Sequence, residues 1–267
     1  MHSKHASNLS YLMWLIPTTF FSFQFILRLW PGLMMDSIMQ QFSINATIFG
    51  LLASVYYWGY ALMQIPVAVL LDRYGAKYIL SISATICGLS AISFAYTDNF
   101  YMALLSRFLI GVGSAAGFLT TSKIISGWFP NSRYGQMVGF SFMLGLVGAV
   151  YGGKPVNNWV EHSGYLSVSV GLGALSIAIG LVALFLLRNK EENQKNKAEV
   201  IKFADLVSLL TSPAICLLAF ANLLMVGSLE GFADVWGVNY LVSAHGLEKG
   251  EAAGITSLMG PKAFISR

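Results

Sequence analysis

Long apolar runs alternate with short polar breaks along nearly the whole chain. The runs predict helices at 11–34, 46–70, 77–96, 101–126, 135–157, 165–187 and 213–237, with an eighth beginning near 251. The breaks between the first six are DSIMQQFSIN, DRYGAK, YTDNF, FPNSRYG and NNWVEHSG. A helix that crosses hydrocarbon needs ~20 mostly apolar residues, and each of the first seven runs is long enough. A membrane β-barrel needs short segments of alternating polarity, which these runs are not. Short breaks make successive helices antiparallel neighbours in a bundle. The predicted fold is an all-α membrane protein.

Composition agrees. Of 267 residues, 56% are hydrophobic and 10% are charged, with a mean hydropathy of +0.65. Soluble domains carry about a quarter charged residues. The net charge of +4 raises the question of a nucleic-acid partner, but the placement of the basic residues answers it. If the N-terminus is cytoplasmic, Lys4, Arg73, Lys77, Lys123, Arg133, Arg188, Lys190, Lys195, Lys197 and Lys202 all belong to that side, against Lys249 alone opposite. That asymmetry is the positive-inside bias of membrane proteins. It predicts a multi-pass membrane protein with its N-terminus in the cytoplasm, a lipid partner and no nucleic acid. Cys87 and Cys216 lie in apolar runs, so no disulfide framework, metal site or cofactor is expected. The first run follows MHSKHASNLS, has no small-residue cleavage site after it, and is read as an uncleaved span.

Small residues inside the runs mark close helix packing: Ala53–Gly59, then Gly111, Gly113 and Gly117, then Gly135, Gly139, Gly145, Gly148 and Gly152. The polar stretch RNKEENQKNKAEVIK, 188–202, is the one linker. It divides the chain into a six-helix bundle over 1–187, a cytoplasmic linker over 188–212, and the start of a second bundle over 213–267.

Between the second and third helices Gly75 permits a tight turn, and Arg73 and Lys77 hold it on the basic side. Asp72 contributes nothing to that bias. An acid there suits the N-terminal end of a neighbouring helix or an arginine, which would make the turn a latch.

The stretch AVLLDRYGAK resembles the G-x-L-a-D-r-x-G-r-k signature of the major facilitator superfamily of secondary transporters. Leu70, Asp72, Arg73, Gly75 and Lys77 match, while Ala68 and Ala76 depart. A second signature, R-x-x-x-G-x-G, matches at Arg107, Gly111 and Gly113, and WFPNSRYG resembles the turn after helix four of many members. The segments RLWPGLM, ASVYYWGYALMQIP and GAVYGGKP are similar to a bacterial nutrient-importer branch that includes phagosomal amino-acid transporters. The resemblance implies alternating access between two six-helix halves, a conformational latch at Asp72, Arg73, Gly75 and Lys77, and a proton-coupling or gating role for Arg107. The Gly-Pro step of drug/proton antiporters is missing from VYGGKP, which favours uptake over export.

Charges in spans are costly and need a reason. Arg28 in the first span suits a carboxylate or phosphate clamp, or else snorkels beside Trp30. Lys154, next to Pro155, faces a cavity or bonds a carbonyl freed by the proline. Tyr56, Tyr57 and Tyr60, with Gln64, form a polar-aromatic stripe, the expected substrate contact, in which Tyr56, Tyr60 and Gln64 recur at every fourth position on one face. Glu230 and Asp234 share a face; two carboxyls in a low-dielectric site raise at least one pKa, which suits proton coupling. The bland alternative puts both at a wetted helix end.

Ten apolar residues after 250 cannot span the membrane, and PKAFISR interrupts them. A truncated second bundle, inactive alone, is therefore expected. The leading function is proton-coupled uptake of an amino acid, short peptide or organic anion by a monomeric carrier. The alternatives are a non-transporting remnant or interaction subunit, and a drug/proton antiporter. No enzyme motif is present.

Overall fold

The computed structural model describes residues 8–189, 211–227 and 231–256. They form helices α1 (Asn8–Leu33), α2 (Met35–Phe42), α3 (Ala46–Tyr74), α4 (Ala76–Tyr96), α5 (Phe100–Ser114), α6 (Ala116–Trp128), α7 (Tyr134–Gly152), α8 (Lys154–Leu186), α9 (Pro213–Asn222) and α10 (Gly237–His245). No strand occurs among the described residues. Among the described residues, five helical stretches are long and apolar enough to cross a membrane; the last, Asn131–Leu186, has 56 residues, enough for two crossings.

Local chemistry sets the boundaries. Asn45 caps α3 by accepting from Ile48 N at 3.0 Å, and Asn99 caps α5 by accepting from Tyr101 N at 2.9 Å. Gly75 ends α3 at φ 81° and ψ 165°, and Gly164 turns the chain inside α8 at φ 74° and ψ 165°. That region is open essentially to glycine alone. The α5–α6 junction at Ala115 stays right-handed, so the pair acts as one span.

Two expectations change here. DSIMQQFSIN is not a plain turn: most of it forms α2, with Ser43 left-handed at its end. The fifth span does not run on to 157. It stops at Gly152, Gly153 breaks the helix, and Lys154–Pro155 starts α8, because proline suits a first helical turn.

The core lies between α1, α3, α4, α5 and α8, with Phe20, Trp30, Phe49, Leu80 and Phe94 fully buried. Helix α1 packs on α6 and α7, α3 on α5, and α4 on α5 and α8. Glycine sets the closest approaches. A Cβ at Gly111 would strike the Tyr56 carbonyl, and one at Gly148 the Ser22 carbonyl. Gly135 and Gly139 are different: nothing lies near where a Cβ would stand, so close packing does not explain them. Large apolar side chains cover the outside, Phe185 at 76% exposure among them. Hydrocarbon is the solvent for such a surface.

Helix α9 buries none of its residues. Beyond it the chain returns to the bundle at the end opposite the basic turn. Trp236 packs edge-on against Phe49 at 6.4 Å, Asn239 Nδ2 lies 2.8 Å from Met35 Sδ, and Lys249 pairs with Asp36 at 3.1 Å.

Candidate functional site

A cavity of about 230 Å³ opens between α1, α3, α6 and α7. Phe21, Gln24, Phe25 and Arg28 line it from α1, and Tyr56, Tyr57 and Tyr60 from α3; Phe118 and Phe142 close the other walls. The four α1 residues fall at helical spacing, so one face of α1 carries both aromatic rings and both polar groups. Arg28 is half-buried, with its guanidinium carbon 4.8 Å from the Phe25 ring centroid. Tyr56 stacks on Tyr60 at 6.2 Å and meets Tyr57 edge-on at 5.3 Å. One cation and one amide thus share a wall of aromatic rings. A small anion is what such a wall can hold.

Arg107 sits behind that wall. It is 1% exposed, donates from Nη1 to the Leu27 carbonyl at 3.0 Å, and lies 5.1 Å from the Tyr56 ring and 6.0 Å from the Trp30 ring. Its Nε has no hydrogen-bond partner among the described residues. Arg107 does not line the cavity, whereas Tyr56, next to it, does.

The expected substrate residues therefore divide. Arg28, Tyr56 and Tyr60 come together on the cavity. Gln64, one turn beyond Tyr60, is half-buried and does not line it. Lys154 does not line it either: it is exposed at the first position of α8, because Gly153 ends the preceding helix and turns the lysine outward. Asp234 belongs to the π-helical turn Phe232–Trp236, and Glu230 lies outside the described residues. Tyr57 joins Tyr56 and Tyr60 on the cavity, and one further cavity residue, Gln24, is not among the expected contacts. Gln24 carried a readable signal, since it lies one turn before Arg28 in an apolar run.

At the basic end, the expected partner of Asp72 was an arginine or a helix N-terminus. The structure supplies Lys123 of α6, with Nζ 3.1 Å from Oδ1. Arg73 and Lys77 each lie over the ring of the following tyrosine, at 5.3 and 5.8 Å. Asn189, just past α8, docks into the turn. Its Oδ1 accepts from Lys77 N at 3.0 Å, and its Nδ2 donates to the Tyr74 carbonyl at 3.4 Å. A Cβ at Gly75 would collide with the Asn189 amide. Gly75 is thus required twice, by backbone angle and by space.

Comparisons with known proteins bear on this geometry. The "Uncharacterized transporter YybO" of Bacillus subtilis (strain 168) is 38% identical over 99 residues, 37% of this chain and 23% of that protein. The "Probable galactarate/D-glucarate transporter GudP" of the same organism is 28% identical over 173 residues, 62% of this chain and 38% of that protein. The "Probable L-galactonate transporter" of Escherichia coli (strain K12) is 25% identical over 255 residues, 86% of this chain and 54% of that protein. The chain thus spans about half, or less, of the length of these relatives. Among solved structures, a bacterial homologue of the human lysosomal transporter Spinster, inward-facing and unoccupied, superposes with a TM-score of 0.77 at 21% identity. That match covers 97% of this chain and 61% of the other and shows the shared fold. The model of the Major Facilitator Superfamily matches residues 13–266, and the chain belongs to that family.

Proposed function

We propose that this chain forms the anion-binding half of a carrier that takes up small organic anions across the bacterial inner membrane, with its N-terminus in the cytoplasm. The observation that carries the reading is the Arg28 guanidinium on a tyrosine-ringed cavity of about 230 Å³. That volume lies below the range of drug-sized sites, so the ligand is small. A guanidinium binds a carboxylate through two parallel hydrogen bonds, and a partly dehydrated wall strengthens them. Of the nutrient classes expected from the sequence, the organic anions gain support from the relatives, whose names include galactarate, D-glucarate and L-galactonate.

Uptake needs a cotransported cation. An inside-negative potential opposes an entering anion by ~2.3 kcal/mol per charge per 100 mV. Glu230 and Asp234 are the carboxyls proposed to carry a proton on that account. The Asp72 turn is proposed to act as a latch that loosens as the two halves rock.

Titration calorimetry of D-glucarate into the purified chain in lipid nanodiscs tests the reading. Saturable binding is expected, weakened about tenfold or more in Arg28→Gln, because a charge-assisted hydrogen bond is worth ~1.5–3 kcal/mol. Binding of equal strength in the variant contradicts it.

A further inference from the structure

We propose that Gln24 makes this site selective for hydroxylated acids over plain ones of the same length. The proposal rests on the anion reading above and adds a second determinant to it. Gln24 precedes Arg28 by four residues, so both project from one face of α1 and both line the cavity. The side chain is 5% exposed, and its Oε1 is buried with no hydrogen-bond partner among the described residues. Native proteins seldom leave a buried amide oxygen in that state, because the loss is not recovered elsewhere.

The fold nevertheless makes room for it. The amide rests against Gly117 of α6, where a Cβ would collide with Oε1. An apolar side chain at position 24 would fit a lipid-embedded aromatic wall of Phe21, Phe25, Phe118 and Phe142 at less cost. A glutamine held beside the one cation of the wall is therefore a binding group: its amide borders the cavity, and turning the amide over brings Oε1 from Gly117 to a ligand.

The chemistry of the amide says which partner. A carboxamide offers both an acceptor and donors, whereas a carboxylate only accepts. A hydroxyl both donates and accepts, and it satisfies the carboxamide at either end. With Arg28 on the carboxylate, Gln24 meets the carbon chain one helical turn away, where a hydroxylated acid carries its hydroxyls. A site built around such groups strongly rejects an analogue that lacks them, because its own polar groups then stay unpaired.

D-Glucarate and adipate supply the test: both are six-carbon diacids, and only the first carries hydroxyls. The two affinities are measured by calorimetry on the chain in nanodiscs, for the native protein and for Gln24→Met. The native protein is expected to prefer D-glucarate by about tenfold or more, and Gln24→Met to bring the ratio close to one. Gly117→Ala retains the glutamine but fills its notch, and is expected to lower the ratio as well. Helix content and melting temperature of both variants establish that they fold. A ratio that survives in Gln24→Met overturns the role of Gln24. Equal native affinities overturn the hydroxyl selectivity and leave the anion site standing. Failure of the native protein to bind either diacid overturns the anion reading and this proposal with it.

Discussion

The cavity wall and the Asp72–Lys77 turn both set polar and charged groups against α3, yet they are built in opposite ways. At the turn the groups find partners within the chain: Asp72 takes Lys123, and Asn189 bridges Lys77 N and the Tyr74 carbonyl. On the cavity wall Gln24 Oε1 has no partner among the described residues, and the Arg28 guanidinium lines the cavity beside the Phe25 ring. The turn is a finished structure whose groups serve stability. The wall, on the proposed reading, is completed by a ligand. Substitutions in the turn should therefore move melting and leave binding alone, and substitutions on the wall should do the reverse.

Gly75→Val should break the comparison open most visibly. It places a branched side chain at φ 81° and drives it into Asn189. The combined strain and overlap should cost about 3 kcal/mol and lower the melting temperature in detergent, with D-glucarate affinity little changed in the protein that folds. Arg28→Gln comes next: a loss of ~1.5–3 kcal/mol in D-glucarate binding by calorimetry, with a smaller change in melting than Gly75→Val. Asn189→Ala should cost about 1 kcal/mol of stability through two lost hydrogen bonds, seen as a small drop in melting temperature. Asp72→Asn should have the smallest effect, ~0.2–1 kcal/mol, since both partners are partly exposed; high salt should erase it.

The sequence is legible where hydrophobicity or a special backbone angle decides. Runs of apolar residues located the spans because hydrocarbon admits little else, and Gly75 was marked by the acid and bases around it. Asn45 and Asn99 cap helices at the breaks that the pattern had drawn. Legibility falls where three-dimensional packing decides. Nothing local in residues 188–202 distinguishes Asn189 from the polar residues after it; only the return of α8 to the α3–α4 turn gives it a role. Lys123 counted as one more basic residue on the cytoplasmic side until α6 brought it to Asp72. Lys154 was misplaced because a Gly-Gly break redirects the helix that carries it, and no periodicity crosses such a break. Gln24 stood in plain view as a lone amide in an aromatic run. Its meaning came from Gly117, some ninety positions later, whose missing side chain leaves the notch.

The central claim is that a small anion occupies the space between α1 and α3. The most direct measurement introduces Phe142→Cys on the cavity rim in a Cys216→Ser background and follows its alkylation by a small polar maleimide. Cys87 is fully buried, with its thiol donating to the Ile110 carbonyl at 3.3 Å, and gives little background. Saturating D-glucarate should slow the labelling of Cys at position 142 severalfold, and the added substitution Arg28→Gln should abolish the protection. A labelling rate unchanged by D-glucarate at a concentration that saturates calorimetric binding would contradict the account.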